Sequence, residues 1–207
     1  MMASVMLSGV VAVLVYLAGR KDAARDPRLT GVALSLLAVF PLLAPALPKF
    51  AVFSVREGAG VEHGYAAMAV VLGIWAVGFG VAALRLARAA ATLAQWRAES
   101  RLLERVGRIE IRERRGLTGP VAAGVFQPVV YVPEGWTAWS DRIRRMVLDH
   151  ETAHHHRRDP LWRWLAEIAG AVHWPNPLVG WMVRRFALQC EYACDARVLR
   201  QGVAAGD

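Results

Sequence analysis

The chain has 207 residues, of which 56% are hydrophobic and 20% charged, with a mean hydropathy of +0.31 and a formal net charge of +8. That apolar content excludes a disordered chain, and its concentration in uncharged N-terminal runs excludes an ordinary soluble domain. The basic balance is not read as a nucleic-acid footprint: no reading motif accompanies it, and cations flanking membrane spans account for it.

Three runs, 2–19, 29–48 and 64–84, carry no charged residue, and each approaches the roughly 20 apolar residues that a helix needs to cross a bilayer. Nothing basic precedes the first run, and Arg20, Lys21, Arg25 and Arg28 follow it, so it is read as a retained span and not a cleaved leader. Pro41 and Pro45 predict a bend in the second, packed against a neighbouring helix. Four basic residues fill the loop after the first span, Lys49 and Arg56 the loop after the second, and Arg85, Arg88, Arg97, Arg101 and Arg105 follow the third. The positive-inside rule then places the N-terminus outside a plasma membrane and everything after residue 84 in the cytoplasm. Cys190 and Cys194, four apart, form neither a disulfide framework nor a CxxC clip, which suits a reducing compartment.

The second half changes character. Residues 85–105, with Leu86, Leu93 and Leu103 among alternating charges, predict a helical connector that continues the third span. Arg108 to Arg112 alternates as a half-buried strand does, and Val129-Val130-Tyr131-Val132 before Pro133 predicts a second strand of a small sheet. From Ser140 or Asp141, either a good N-cap, Ile143, Met146, Val147, His150 and His154 fall on one helical stripe, which Pro160 ends. Leu161 to His173 is apolar but short and holds Arg163 and Glu167, so a buried or interfacial helix is expected there. Asn176 and Pro177 predict the cap and first turn of a last helix reaching about Leu199.

The chemistry centres on His150-Glu151-Thr152-Ala153-His154, an HExxH motif. Residues four apart on a helix project from one side, so both imidazoles can reach one ion, while Glu151 leans towards that ion without binding it. A catalytic zinc normally takes three protein ligands and keeps a position open. The expected third ligand is Glu191, with Asp195 four residues on, placed to accept the free N–H of a ligating histidine. Cys194 is the alternative ligand, against the simpler reading of a small buried residue.

His150-Glu151-x-x-His154, Arg157 and Asp159, the break His173-Trp174-Pro175-Asn176-Pro177, and Glu191-x-x-Cys194-Asp195, in that order, resemble the membrane metallopeptidases of the BlaR/MecR antibiotic-sensor type. Gly124 to Pro133 also resembles the strand that precedes the zinc helix there. CaaX-processing and heat-shock-type membrane proteases share HExxH but usually carry alanine at the place of Cys194. The resemblance implies a mainly α integral membrane protein: three transmembrane helices in 1–84, the connector 85–105, and a cytoplasmic α+β zinc metallopeptidase domain of gluzincin-like type with a small β-sheet in 106–207. It implies Zn2+ held by His150, His154 and Glu191, with Glu151 moving the proton of an attacking water and Asp195 and Asp159 behind the ligands. The implied substrate is a polypeptide, a transcriptional repressor by analogy, cleaved in a bacterial cell. No beta-lactam binding is expected of this chain, which shows no penicillin-binding sensor segment.

Further expectations concern single residues. His173 is a candidate oxyanion donor or substrate contact, and Val129, Val130, Tyr131 and Val132 a candidate edge strand for an extended substrate, with plain core as the other reading. His155 and His156 are expected in solvent. Trp136, Trp139, Trp162, Trp164, Trp174 and Trp181 suit a domain in contact with membrane lipid, with core packing an equal account of some of them. The rival functional class is a membrane-anchored zinc-binding adaptor or inactive homologue, against which the presence of Glu151 argues.

Overall fold

A computed structural model describes residues 27–43 and 61–200. Helix α1 (Arg28–Leu43) and the long helix α2 (Val61–Glu99) precede a sheet of β1 (Arg101–Val106), β2 (Ile109–Arg114), β3 (Val121–Ala123) and β4 (Val129–Pro133). A single 3-10 turn, Trp136–Ala138, leads to α3 (Asp141–His156), α4 (Asp159–Val172) and α5 (Pro177–Arg200).

Of the three expected spans, 2–19 lies outside the described residues. The second, 29–48, is described only to Leu43, as a 16-residue helix whose last turn contains Pro41; Pro45 lies outside the described residues. Among the described residues one helix is long and apolar enough to cross a membrane, Tyr65–Glu99 of α2, and none of its apolar window is buried in the protein. At 1.5 Å per residue, the 39 residues of α2 run for roughly 58 Å, about twice a hydrocarbon core. The extra length carries the helix on to the sheet.

There the expected connector needs correction. The helix stops at Glu99 and not at 105, because Arg101–Val106 pairs antiparallel with β2 across a tight turn whose Gly107 has φ +59°. Two residues between two strand-competent runs, the first of them glycine, is a hairpin signal that the charges of Glu104 and Arg105 obscured.

The sheet order is β1-β2-β4-β3, with β2 and β4 parallel and both outer pairs antiparallel. Side chains alternate across β4. Val130 and Val132 pack with Ile109, Ile111 and Trp136 beneath α3, while Val129 and Tyr131 pack with Ala123 against Leu93 and Trp96 of α2. Both faces are covered, so every residue of β4 is buried. The expected edge role of Val129, Val130, Tyr131 and Val132 is therefore overturned: β4 is flanked on both sides, and the outer strands are β1 and β3.

A second core joins α1, α4 and α5. Ala33, Leu34 and Leu37 of α1 meet Ala166 and Ala169 of α4 and Val179, Met182, Phe186 and Cys190 of α5. The helices are delimited as their residues dictate. Ser140 Oγ accepts from Ile143 N at the start of α3, and Arg158 in a left-handed conformation (φ 60°) separates α3 from α4, which starts with Pro160 in its first turn. Asn176 Oδ1 accepts from Leu178 N at 3.0 Å to cap α5.

Candidate metal centre

Helix α3 carries His150, Glu151 and His154, and α5 brings Glu191 and Asp195 against it. The two Nε2 atoms of His150 and His154 lie 3.3 Å apart, and Glu191 Oε2 lies 3.5 Å from each. A tetrahedral zinc with ligand bonds of about 2.0 to 2.1 Å separates its donors by about 3.4 Å. The donor triangle thus has the edge lengths and the mixed imidazole–carboxylate chemistry that such an ion requires, and the residues fit it.

The outer ring nitrogens are occupied. His150 Nδ1 lies 3.1 Å from Asp195 Oδ1, and His154 Nδ1 lies 2.9 Å from Asp159 Oδ2, which is 4% exposed. Arg157 Nε donates to the other Asp159 oxygen at 3.3 Å. Each carboxylate accepts an Nδ1–H, so that a ring that gives up its second proton presents the Nε2 lone pair on the metal side. Cys194 is fully buried with its sulfur 3.4 Å from His154 Nδ1. It sits with Asp159 behind the ring, whereas Glu191 sits in front of it. His154, Asp159 and Cys194 also lie close enough to hold a cation, but Asp159 and Cys194 both address the nitrogen turned away from His150.

Electrostatics follow from this crowding. The imidazoles beside Glu191 hold its carboxyl well below the usual range, and hydrogen bonding to Glu191 raises His150. Burial raises the carboxyl of Glu151, to which the backbone N–H of Ala122 in β3 donates. The side chains of Glu151, His154 and Glu191 line one cleft of about 850 Å3 together with Pro120 to Gly124. Gly124 is required there: its φ is +83°, and a Cβ would come within 2.2 Å of Gln127 O.

Other expected residues lie elsewhere. His173 is not in contact with this centre; it is buried and its Nε2 bonds Leu37 O at 3.0 Å, which makes it a tie between α4 and α1 and removes the oxyanion role. His155 is half-buried and not solvated, with Nε2 3.0 Å from Val129 O, while His156 is exposed as expected. Sequence reasoning missed β3. Its three apolar residues are too few to show a period, and only the bracketing Gly119-Pro120 and Gly124 hinted at a bounded element.

A protein of Bacillus licheniformis named "Regulatory protein BlaR1" is 30% identical over 84 residues, a stretch covering 41% of this chain and 14% of that relative's length. The family model described as BlaR1 peptidase M56 matches residues 56–203, which include the sheet, both histidines and Glu191. With well over half of its length matched, the chain belongs to the BlaR1 peptidase M56 family.

Proposed function

We propose that this chain is a membrane-anchored, zinc-dependent endopeptidase that hydrolyses peptide bonds at the cytoplasmic face. The observation that carries the reading is the convergence of His150 Nε2, His154 Nε2 and Glu191 Oε2 at 3.3 to 3.5 Å, beside the half-buried carboxylate of Glu151. A zinc ion held by these three residues would supply Lewis acidity, polarising a carbonyl and acidifying water.

The protein's own groups do the rest. Glu151 accepts a proton from the attacking water and returns it to the leaving amine, a task suited to a carboxyl raised by burial and steadied by Ala122 N–H. Asp195 and Asp159 hold the rings of His150 and His154 in one tautomer. An extended polypeptide has an outer strand to pair with in β3, which borders the cleft beside Glu151. Backbone pairing of that kind gives affinity with little sequence preference.

The division into a membrane part within 1–84 and a metallopeptidase half within 106–207, with multi-pass topology in a bacterial plasma membrane, belongs to the same proposal. So does regulatory cleavage with a transcriptional repressor as substrate, in keeping with the name of the relative. The test uses the purified chain in detergent: bound zinc per chain, and cleavage of an unfolded protein by wild type and Glu151→Gln. The expected result is equal zinc in both and a loss of at least about 100-fold in cleavage by the variant. Chelator-insensitive proteolysis of equal rate in both overturns the reading.

A further inference from the structure

The corner between α4 and α5 lies at a depth that two independent rulers measure. On α2, Trp174 Nε1 donates to Trp75 O at 3.1 Å, and Trp75 Nε1 donates to Val172 O at 3.1 Å. A Cβ at Gly78 would come within 2.1 Å of the Trp174 ring, so that glycine is what admits the indole. Trp75 and Gly78 lie ten and seven residues before Arg85, the first charge after the apolar run, or about 10 to 15 Å along the helix. On α1, His173 Nε2 reaches Leu37 O, nine residues beyond Arg28, or about 13 Å along that helix. With Arg28 and Arg85 both on the cytoplasmic side, as the proposed topology has them, both rulers start at one face of the membrane and end at the same corner.

The composition of the corner matches that depth. The 16 residues from Ile168 to Val183, between Glu167 and Arg184, carry no charge. Ile168, Trp174 and Leu178 are each about 40% exposed, and Val39 and Leu36 of α1 are 43% and 63% exposed. The polar groups at the turn are satisfied inside the protein. His173 and both indoles have the carbonyl partners named above, Asn176 Oδ1 takes Leu178 N, and Asn176 N donates to His173 O at 2.8 Å. Lipid requires that internal satisfaction of any irregular backbone, and water does not.

We propose that residues 168–183 form a re-entrant segment, dipping from the cytoplasmic side into the bilayer, with Ile168, Trp174 and Leu178 covered by acyl chains of the cytoplasmic leaflet. This rests on the reading that α2 crosses the membrane with Arg85 on the cytoplasmic side. The metallopeptidase half is then embedded in the leaflet and does not merely rest on it, and the cleft that Glu151 shares with Trp174 extends below headgroup level.

The test is nitroxide accessibility in the full chain reconstituted in phosphatidylcholine–phosphatidylglycerol vesicles. Labels go on cysteines introduced by Leu178→Cys and Ile168→Cys, with Val77→Cys on the exposed face of α2 as the lipid reference and Arg115→Cys in the exposed turn after β2 as the water reference. Cys190 and Cys194 are fully buried, and the chain with no introduced cysteine serves as the blank. The expected result is a ratio of oxygen to nickel-chelate collision at 178 and 168 matching that at 77 and several-fold above that at 115. A water-like ratio at 178 and 168 with a lipid-like ratio at 77 overturns the re-entrant segment and leaves the crossing of α2 standing. A water-like ratio at 77 overturns both. Should one of the two variants fail to fold, the other decides.

Discussion

In the metal-free protein His154 holds a proton far above neutrality. Burial works against its charge, but acceptors at Asp159, Cys194 and Glu191 outweigh burial and the ring is pushed up to about 11. His150 is raised by Glu191 in the same way. Zinc needs both Nε2 lone pairs, so binding must expel protons that an ordinary histidine, with a pKa of about 6.5, would already have lost. The sign follows: a raised pKa keeps the competing proton in place across neutral pH, and affinity climbs as pH rises towards about 11. Titration calorimetry in buffers of different ionisation heat should register at least about one proton released at neutral pH, with affinity rising about tenfold per pH unit per proton from about pH 7 to about pH 8. No proton release and a flat affinity over that interval would contradict the arrangement of Asp159 and Glu191 about the ring.

At the scale of elements, the join between the apolar helix and the sheet depends on Arg112. Its Nε donates to Ser100 Oγ at 2.9 Å, and its Nη2 donates to Ser100 O and Arg97 O at 3.0 and 3.2 Å, so one guanidinium binds carbonyls in the last turn of α2 and just beyond it. Its Nη1 donates to Glu110, which also accepts from Arg97 at 2.7 Å. Arg112→Ala should cost about 2 to 3 kcal/mol, read as a fall in Tm of roughly 4 to 12 °C in detergent. Arg105→Ala, which removes an exposed ion pair to the same Glu110, should change Tm by no more than about 2 °C; equal losses in the two variants would refute the capping role. This join also marks where the sequence was legible. Helices α3, α4 and α5 could be read because Ser140, Pro160, Asn176 and Pro177 act locally, on backbone groups within a few residues. The end of α2 could not, because Arg112 and strand pairing decide it from more than ten residues away. The central place of β4 was hidden for the same reason. Strand order is a property of β3, whose three residues carry no period.

Across the whole molecule, two cores meet at the metal centre. The sheet packs beneath α3, which holds His150 and His154, while α5, which holds Glu191, belongs to the core with α1 and α4. The motif spacing gave the two histidines, but the reach of α5 back to α3 depends on Val179, Met182, Phe186 and Cys190 packing on Leu34 and Ala169. Burial pushes the Cys190 thiol up to about 12, in keeping with a packing role in that core. An ion held by residues of both cores binds the folded chain alone, so its binding free energy adds to folding stability by mass action. Zinc at about 100 times its Kd should add about 2.7 kcal/mol, a rise in Tm of roughly 5 to 11 °C, and excess chelator should remove it. Glu191→Gln should abolish most of that rise, since it takes away the only metal-facing carboxylate that α5 contributes to the His150–His154 pair among the described residues. Glu151→Gln should keep the rise while losing cleavage, because Glu151 borders the centre without being one of the three converging donors. A Tm that ignores both zinc and chelator, or a rise that survives Glu191→Gln undiminished, would mean that the two helices are not joined through the ion.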